Sequence, residues 1–540
     1  MKLCLESITK DAAAWAAKGV ALPKFDIAAM RAQTKETPEW VHFGAGNIFR
    51  GFIGSLSQRL LNEGLAKTGI IACDTFDYEV IDKIYTAYDS LTLNVLLNPD
   101  GTTTREVLAG VAEGLKADFS DAASAERLRS IFRAPSLKML SFTITEKGYA
   151  LRRPDGSLMP VVEADMANGP AAPRHVMAIV AALLLERYNA GKLPMAVVSM
   201  DNCSHNGEKL MKSVLEVAEA WKANGFVDDG FIAYLRDESK VSFPWSMIDK
   251  ITPRPHPRVE ESLAADGFEG MAPVVTDKKT FIAAFVNAEK PQYLVVEDKF
   301  PNGRPPLEKA GVYFCDRETV NMTERMKVTT CLNPLHTALA VSGCLLGYRR
   351  ISEEMKDPEL SALARGIGYD EGLPVVTDPG VIHPKEFLDT VVNVRIPNPF
   401  LPDTPQRIAT DTSQKVPIRF GETIKSYAER PDLDPKTLTC IPLAIALWLR
   451  YLLAVDDEGN AFVCSPDPML ETLQAQLAGV KPGDSDSASD ALLAPILSNA
   501  AIFGVDLVAA GLAPKISAML RELLTGKGAV RATLKKYLNH

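Results

Sequence analysis

The chain has 540 residues, of which 46% are hydrophobic and 24% are charged, a composition typical of a globular protein with more than one hydrophobic core. A formal net charge of -9 gives no overall attraction for nucleic acid or anionic lipid, so we expect neither as a partner. The eight cysteines form no CxxC pair, and the chain shows no secretion leader and no apolar run of membrane-spanning length, which favours a soluble, cytoplasmic protein.

Short apolar runs alternate with longer helix-like stretches between Val41 and about Phe300, which predicts parallel strands joined by crossover helices. The predicted strands are Trp40–Phe43, Gly69–Cys73, Lys138–Thr145, Met195–Met200 and Tyr293–Val296. Between the first two strands, apolar residues recur at helical spacing from Ile48 to Leu60, and Gly64 is placed to end that helix.

Amphipathic helical segments dominate after about Thr319. Their predicted ranges are Leu335–Leu346, Ile441–Leu453, Met469–Leu477 and Leu492–Leu507, and the predicted exposed loops are Pro397–Pro405 and Lys481–Asp490. The sequence therefore predicts an N-terminal arm (1–40), an α/β domain with a parallel-rich sheet (41–318) and a mainly α-helical domain (319–540).

A glycine-containing segment follows the first predicted strand, with Gly44, Ala45, Gly46, Asn47, Ile48 and Arg50 immediately before or within the amphipathic helix. A pyrophosphate can bind free backbone N–H groups at such a helix start, and glycine lets the backbone approach it closely. Phe49 stands where the usual third glycine would be. Both a tight structural turn and a dinucleotide loop fit this pattern.

The second predicted strand ends beside Asp74 and Asp77, and either carboxylate could accept hydrogen bonds from a ribose diol. A carboxylate at this position repels a 2′-phosphate, so NAD is favoured over NADP, and Asp74 is slightly preferred over Asp77. The structural alternative is that these residues cap the following helix.

Three further segments combine polar residues with adjacent apolar runs. They are Thr143–Tyr149, Ser199–Cys203 and Lys327–His336, and the first two follow predicted strands, where α/β sheets bind ligands.

These segments, in order, resemble the long-chain polyol dehydrogenase family, which includes mannitol 2-dehydrogenase and the fructuronate and tagaturonate reductases. The resemblance extends from about residue 41 to 420. It rests on five motifs: Gly44-Ala45-Gly46-Asn47 with Arg50-Gly51, Thr143-Ile144-Thr145-Glu146 with Gly148-Tyr149, Asp201-Asn202 with His205-Asn206-Gly207, Phe243-Pro244 with Asp249-Lys250-Ile251-Thr252-Pro253, and the set Lys327, Asn333 and His336.

The resemblance implies a Rossmann-type domain, a helical domain and catalysis without a metal ion. Lys327 is then the general base, preceded by Glu324 at the family's spacing; Asn202 and Asn333 stabilise the oxyanion, and His336 binds substrate. The cofactor residues implied are the glycine segment with Asp74, Thr145 and Glu146.

The chemistry of alcohol oxidation is consistent with these roles. A lysine needs a pKa well below its usual value to accept the hydroxyl proton, and amide N–H groups can stabilise the developing alkoxide. Each residue also has a structural alternative: a solvated lysine, helix-capping asparagines and a core histidine.

One spacing departs from the family, because Lys327 and Asn333 are six residues apart instead of five. On one regular helix, Lys327 and His336 would point to opposite faces. Pro334 disfavours helical geometry in the residue before it and suits a helix start, so we predict a break at Asn333, with Lys327 on an earlier turn or a bulge.

Several cations follow in loop-like sequence, beginning with Arg395 and continuing through Arg407, Lys415 and Arg419. They favour a carboxylate-bearing substrate, bound in part by Arg395, over a neutral polyol. We expect a reductase that interconverts fructuronate and mannonate, or tagaturonate and altronate, and that is a monomer or small homo-oligomer. The alternatives are a mannitol or arabinitol 2-dehydrogenase and a non-catalytic NAD-binding protein; the seven histidines show no metal-ligand spacing.

Overall fold

The computed structural model describes residues 1–538 and divides the chain into two compact units. The first unit comprises Met1–Asn98 and Thr102–Asn321, and the second comprises Pro99–Gly101 and the chain from Met322 onward. Within the described residues, no helix is both long and apolar enough to cross a bilayer.

All the strands of the described chain lie in the first unit. They are β1 (Val20–Ala21), β2 (Trp40–Phe43), β3 (Ile70–Asp74), β4 (Thr92–Leu97), β5 (Thr103–Leu108), β6 (Val111–Lys116), β7 (Met139–Phe142), β8 (Met195–Ser199), β9 (Val241–Ser242), β10 (Ser246–Asp249), β11 (Val274–Val275), β12 (Phe281–Ile282), β13 (Phe285–Glu289), β14 (Tyr293–Glu297) and β15 (Tyr313–Cys315).

The main sheet has six parallel strands in the order β6-β3-β2-β7-β8-β9. Numbered within the sheet, this is the 3-2-1-4-5-6 order of the Rossmann fold, so the strand order reverses between β2 and β7. The predicted α/β fold is confirmed. Ligands of such sheets bind beyond the carboxyl ends of the strands at this reversal.

The central strands are buried on both faces, and alternate residues enter two separate cores. Val41 and Phe43 of β2 belong to one core, whereas Trp40 belongs to the other, together with Phe52 and Leu56 of the following helix. This distribution explains why the strands are continuous apolar runs instead of alternating patterns.

The predicted strand at Tyr293 is present but does not join the main sheet. β14 pairs antiparallel with β10 and parallel with β15, in a separate three-stranded sheet. The remaining strands form a mixed sheet of order β1-β5-β4-β13 and the hairpin β11-β12. The predicted strand Lys138–Thr145 ends earlier, at Phe142, because the chain then turns into the loop described below.

The first forty residues contact the rest of the first unit. β1 pairs with β5, and the backbone N–H of Gly69 donates to Thr34 Oγ1 at 2.8 Å.

The helices that begin in the first unit are α1 (Leu5–Lys10), α2 (Ala12–Ala17), α3 (Ile27–Glu36), α4 (Gly54–Asn62), α5 (Ala122–Arg133), α6 (Glu146–Tyr149), α7 (Pro160–Asn168), α8 (Val176–Asn189), α9 (Asn206–Ala223), α10 (Asp229–Arg236), α11 (Pro257–Ala265) and α12 (Arg317–Met326). The predicted helix end at Gly64 is confirmed: Gly64 has φ +70°, and Leu65 N donates to Leu60 O at 2.8 Å.

The described part of the second unit is helical, as predicted. Its α-helices are α13 (Asn333–Leu345), α14 (Ile351–Glu354), α15 (Pro358–Arg365), α16 (Pro384–Thr390), α17 (Pro405–Ile408), α18 (Thr412–Val416), α19 (Glu422–Glu429), α20 (Cys440–Tyr451), α21 (Leu470–Gln476), α22 (Asp490–Leu497), α23 (Ala500–Phe503), α24 (Ala513–Leu523) and α25 (Ala529–Leu538). Short π-helical segments also occur, at Lys327–Cys331, Gly366–Gly372, Val391–Arg395 and Pro417–Gly421.

The single helix predicted over Leu492–Leu507 is wrong. The structure has α22 and α23 instead, because the side chain of Asn499 accepts from Ala501 N and starts a new helix. Gly504, at φ +75°, then ends the second helix.

Candidate active site

The first glycine of the nucleotide segment is required by the packing of the protein itself. Gly44 follows β2 at φ +103°, and its N–H donates to Cys73 O at 2.9 Å. A Cβ on Gly44 would collide with the backbone carbonyl of Thr143, which follows β7. The loops after β2 and β7 therefore meet at the reversal of strand order.

Gly46 differs, because a Cβ there would meet no protein atom within 4 Å. Next to it, Asn47 begins the helix, and its buried Oδ1 has no hydrogen-bond partner among the described residues. Ala45 is buried, whereas Asn47 and Ile48 are partly exposed. An open glycine and an orphaned amide oxygen at a helix start are what a loop built for a ligand would show.

The predicted cofactor residue Arg50 lies elsewhere. Its guanidinium is buried and donates to Thr92 Oγ1 and Ala284 O, both at 3.1 Å, on the β4–β13 side. Burial lowers its pKa to about 10. The structure thus separates Arg50 from the glycine segment's exposed face, and a direct cofactor contact by this side chain stays a prediction.

Gly51 performs a packing task that sequence reasoning missed. A Cβ on Gly51 would lie 2.8 Å from Val286 Cγ1 of β13, so glycine is needed for close contact between helix and strand. In the usual dinucleotide fingerprint the third glycine has this task. The helix is π-helical over Phe49–Ile53.

Asp74 lies at the end of β3, with its carboxylate beside the glycine segment. Burial raises its pKa, whereas hydrogen bonds from the backbone amides of Asp77, Phe76 and Ala45 lower it. Asp77 is also buried: it accepts from Thr276 Oγ1 at 2.5 Å, and its Oδ1 has no hydrogen-bond partner among the described residues. Asp74 Oδ1 accepts from the backbone amides of Phe76 and Asp77, as in the capping alternative, so the choice of Asp74 as the ribose acid stays a prediction.

The loop after β7 holds a β-branched residue in an unusual backbone conformation. Thr145 has φ +66° and ψ 159°, a region that glycine favours. Glu146, which begins α6, is exposed and forms an ion pair with Lys209.

Asn202 is exposed just beyond β8, and Asn206 at the start of α9 anchors that turn by donating to Asp201 O at 3.0 Å.

The predicted helix break before Asn333 is confirmed. After α12, the chain is π-helical over Lys327–Cys331, and Leu332 leaves helical geometry at φ -130° before α13 begins at Asn333, with Pro334 in its first turn. A π-helical turn accommodates one extra residue, which accounts for the six-residue spacing. Lys327 is buried, and Glu324 lies partly buried one turn earlier in α12.

His336 and Arg395 line the same small cavity, together with Asn398 and Asp403. Burial lowers the pKa of His336 to about 4; Asp403 opposes this shift, and the guanidiniums of Arg419, Arg395 and Arg407 add to it. The imidazole is therefore neutral at physiological pH and has several positive charges around it.

Arg419 links this region to Asn333. Its guanidinium donates to Thr337 Oγ1 at 2.7 Å and, more weakly, to Asn333 O at 3.5 Å. Lys327, Arg395 and Arg419 each lie on a π-helical segment. Such segments occur often at functional sites, because they displace side chains from the regular helical array.

Models of two families match most of the chain. The mannitol dehydrogenase Rossmann domain matches residues 38–309, and the mannitol dehydrogenase C-terminal domain matches residues 319–524. The chain therefore belongs to the mannitol dehydrogenase family, as the sequence motifs predicted.

Individual relatives agree with this assignment. The chain is 55% identical to a D-mannonate oxidoreductase of Thermotoga maritima over 99% of both chains. It is similar to the crystal structure of a D-sorbitol dehydrogenase in substrate-free form, with a TM-score of 0.78 and 27% identity over 96% of this chain and 97% of the other. It is also similar to Pseudomonas fluorescens mannitol 2-dehydrogenase in ternary complex with NAD and D-mannitol, with a TM-score of 0.68 and 27% identity over the whole of both chains.

Proposed function

We propose that this protein is an NAD-dependent, metal-independent oxidoreductase that interconverts a keto-hexuronate and its aldonate. Fructuronate and mannonate are the first candidates, and tagaturonate and altronate are the second. The observation that carries the proposal is the 55% identity, over nearly the whole of both chains, to an enzyme named for mannonate.

The first unit has the features that NAD binding requires. The strand order, the open position at Gly46, the unpartnered Oδ1 of Asn47 and the carboxylate of Asp74 fit a dinucleotide with a free ribose diol. When bound, NAD supplies the hydride acceptor for oxidation, and NADH supplies the donor for reduction.

In the oxidative direction, Lys327 accepts the proton of the substrate hydroxyl. The side chain is buried, and burial favours the uncharged amine that a base must be. Glu324, one turn before Lys327, is the second proposed catalytic residue of this segment. The amides of Asn202 and Asn333 donate to the substrate oxygen as negative charge develops there. In the reductive direction, the protonated Lys327 returns the proton.

Residues of the second unit support the proposed preference for a sugar acid. His336 binds a substrate hydroxyl as a neutral imidazole, and Arg395 beside the same cavity is the proposed partner of the carboxylate. Arg419 adds positive potential in this region, whereas Arg407 forms an ion pair with Asp403. A neutral polyol has no group that uses this charge.

A substrate panel tests the proposal. Fructuronate, tagaturonate and fructose are compared as oxidants of NADH, and mannonate, altronate and mannitol as reductants of NAD. We expect kcat/KM for the best sugar acid to exceed that of its neutral counterpart by about 100-fold or more, because a neutral substrate cannot accept the charge-assisted hydrogen bonds that a guanidinium donates to a carboxylate.

The other outcomes separate the alternatives. Turnover of fructose and mannitol alone would identify a polyol 2-dehydrogenase. NADH binding, measured by fluorescence titration, without turnover of any panel member would identify a non-catalytic NAD-binding protein.

A further inference from the structure

The carboxylate of Asp201 contacts the backbone of the loop that follows β7. Its Oδ2 accepts from Ile144 N at 2.9 Å, and its Oδ1 accepts from Thr145 N at 2.8 Å. The phenol of Tyr149 also donates to Oδ2 at 2.6 Å. Asp201 and Tyr149 are both buried, so three hydrogen bonds satisfy this carboxylate within the protein.

One of the two backbone hydrogen bonds is donated by a residue in an unfavourable conformation. Thr145 at φ +66° is β-branched, and such a residue keeps a positive φ only where its surroundings impose it. A carboxylate that holds two successive N–H groups imposes that local geometry. Asp201 therefore accounts for a backbone conformation that threonine would not adopt alone.

The loop held in this way adjoins the glycine segment. Thr143 N donates to Phe43 O at 2.9 Å, Thr143 Oγ1 donates to Gly44 O at 3.2 Å, and the carbonyl of Thr143 excludes any side chain at Gly44. A change in the loop would therefore reach the proposed cofactor site.

Asp201 is itself firmly placed. Asn206 Nδ2 donates to its carbonyl at 3.0 Å and also to Ser246 O at 2.9 Å. Tyr149 has a second contact, with Ser199 Oγ at 2.7 Å, at the end of β8. Asn202, the proposed amide donor, directly follows Asp201. Asp201 therefore connects the loop after β7 to the turn that contains Asn202.

We propose that Asp201, supported by Tyr149, is a positioning residue that holds Thr145 in the conformation required for NAD binding. This inference rests on the proposed cofactor role of Thr145 and Glu146, and at Thr145 it assigns that role to the backbone and not to the side chain. In this proposal Asp201 contacts neither substrate nor cofactor and acts through the loop after β7.

The test uses NADH affinity, measured by fluorescence titration of the full-length protein. In Asp201→Asn, one oxygen becomes an NH2 group that cannot accept a backbone N–H, so Thr145 loses its restraint. We expect the Kd for NADH to rise about 10-fold or more. Asp228→Asn is the matched control, because Asp228 also accepts from a tyrosine, Tyr188, and from a backbone amide, that of Phe231. Its Kd should stay within about 2-fold of wild type.

A second substitution distinguishes positioning from a general loss of structure. Glycine adopts a positive φ without strain, so adding Thr145→Gly to Asp201→Asn should recover most of the lost affinity. Tyr149→Phe removes the hydrogen bonds of the phenol with Asp201 and Ser199 but leaves both backbone hydrogen bonds of Asp201, so it should weaken NADH binding by a smaller factor, about 3-fold.

Two results would overturn the proposal: an unchanged Kd in Asp201→Asn, or a loss that Thr145→Gly does not recover. NADH binding is measured without any sugar acid. A protein that binds NADH as expected but turns over no hexuronate would therefore contradict the proposed function and leave this inference standing.

Discussion

Lys327 is the residue whose proposed role has the largest measurable consequence. Lys327→Ala should lower kcat about 10²- to 10⁴-fold, because the substrate proton then has no positioned acceptor. NADH affinity should change little, since the glycine segment and Asp74 belong to the other unit of the chain. Lys425→Ala removes an exposed lysine of the same helical unit and should leave kcat unchanged. Retention of more than about a tenth of wild-type activity in Lys327→Ala would contradict the role of base.

Asp74 should determine the choice between NAD and NADP. Asp74→Ser removes a carboxylate that repels a 2′-phosphate and accepts from a ribose diol, so kcat/KM should fall about 10-fold for NAD and rise for NADP. Steady-state kinetics with both cofactors measure the ratio. Asp77→Asn is the comparison: it disturbs the hydrogen bond with Thr276 and should lower stability without changing cofactor preference. An unchanged ratio in Asp74→Ser would remove Asp74 from the cofactor site.

The sequence indicated most of these residues, but not all their surroundings. Gly44 and Asp74 could be predicted because each follows an apolar strand, and strand ends are where α/β sheets bind ligands. Arg50 lies in the same motif, yet its side chain is directed into another sheet, which the sequence of the motif does not reveal. Asp201 was part of a recognised motif, but its hydrogen bonds to a loop 56 and 57 residues away depend on the folded chain.

At the scale of single elements, α14 contains a buried acid that no described residue satisfies. Both oxygens of Glu354 are buried without hydrogen-bond partners, and the carboxyl is pressed against Gly343 of α13. Burial raises the pKa of Glu354 well above its ordinary value of 4.5, with Asp357 and Glu353 adding to the effect. The folded protein therefore keeps this carboxyl protonated where the unfolded chain ionises it.

Replacing Glu354 by methionine should stabilise the protein, and more so at higher pH. A raised folded-state pKa means that the free energy of unfolding falls by about 1.4 kcal/mol per pH unit between 4.5 and the folded pKa. Glu354→Met lacks this loss, so its advantage over wild type should grow as the pH rises above about 4.5 towards the folded-state pKa of Glu354. Urea unfolding at several pH values measures this advantage, with Glu429→Met, which replaces an exposed acid at the end of α19, as control. A pH-independent difference would show that Glu354 is ionised in the folded state.

Element boundaries were predictable where local signals were strong. Pro334 predicted the break before α13, and Gly64 predicted the end of α4. The six-residue spacing between Lys327 and Asn333 predicted an earlier turn or a bulge at Lys327, and the π-helical turn Lys327–Cys331 is such a bulge. Asn499 was a missed start signal, and β14 joined a different sheet because strand pairing depends on distant residues.

At the scale of the whole molecule, the proposed chemistry assigns to amine and amide groups the tasks that a metal ion performs in other alcohol dehydrogenases. Activity should therefore survive dialysis against EDTA with kcat unchanged. The chelated enzyme is assayed before and after addition of Zn²⁺. If EDTA abolished the activity and Zn²⁺ restored it, the base would be a metal-bound hydroxide and not Lys327.

The two glycines between β2 and the helix that follows it have a consequence for how inactive variants arise. A side chain at position 44 collides with the carbonyl of Thr143, so Gly44→Ala should impair assembly of the protein whether or not NAD is supplied. A side chain at position 46 enters space that no protein atom occupies, so Gly46→Ala should yield a normally folded protein that fails only when the dinucleotide arrives. A screen for the amount of folded protein would reject Gly44→Ala and retain Gly46→Ala. Two glycines only two residues apart are therefore required for different reasons, the first for folding and the second for binding the dinucleotide.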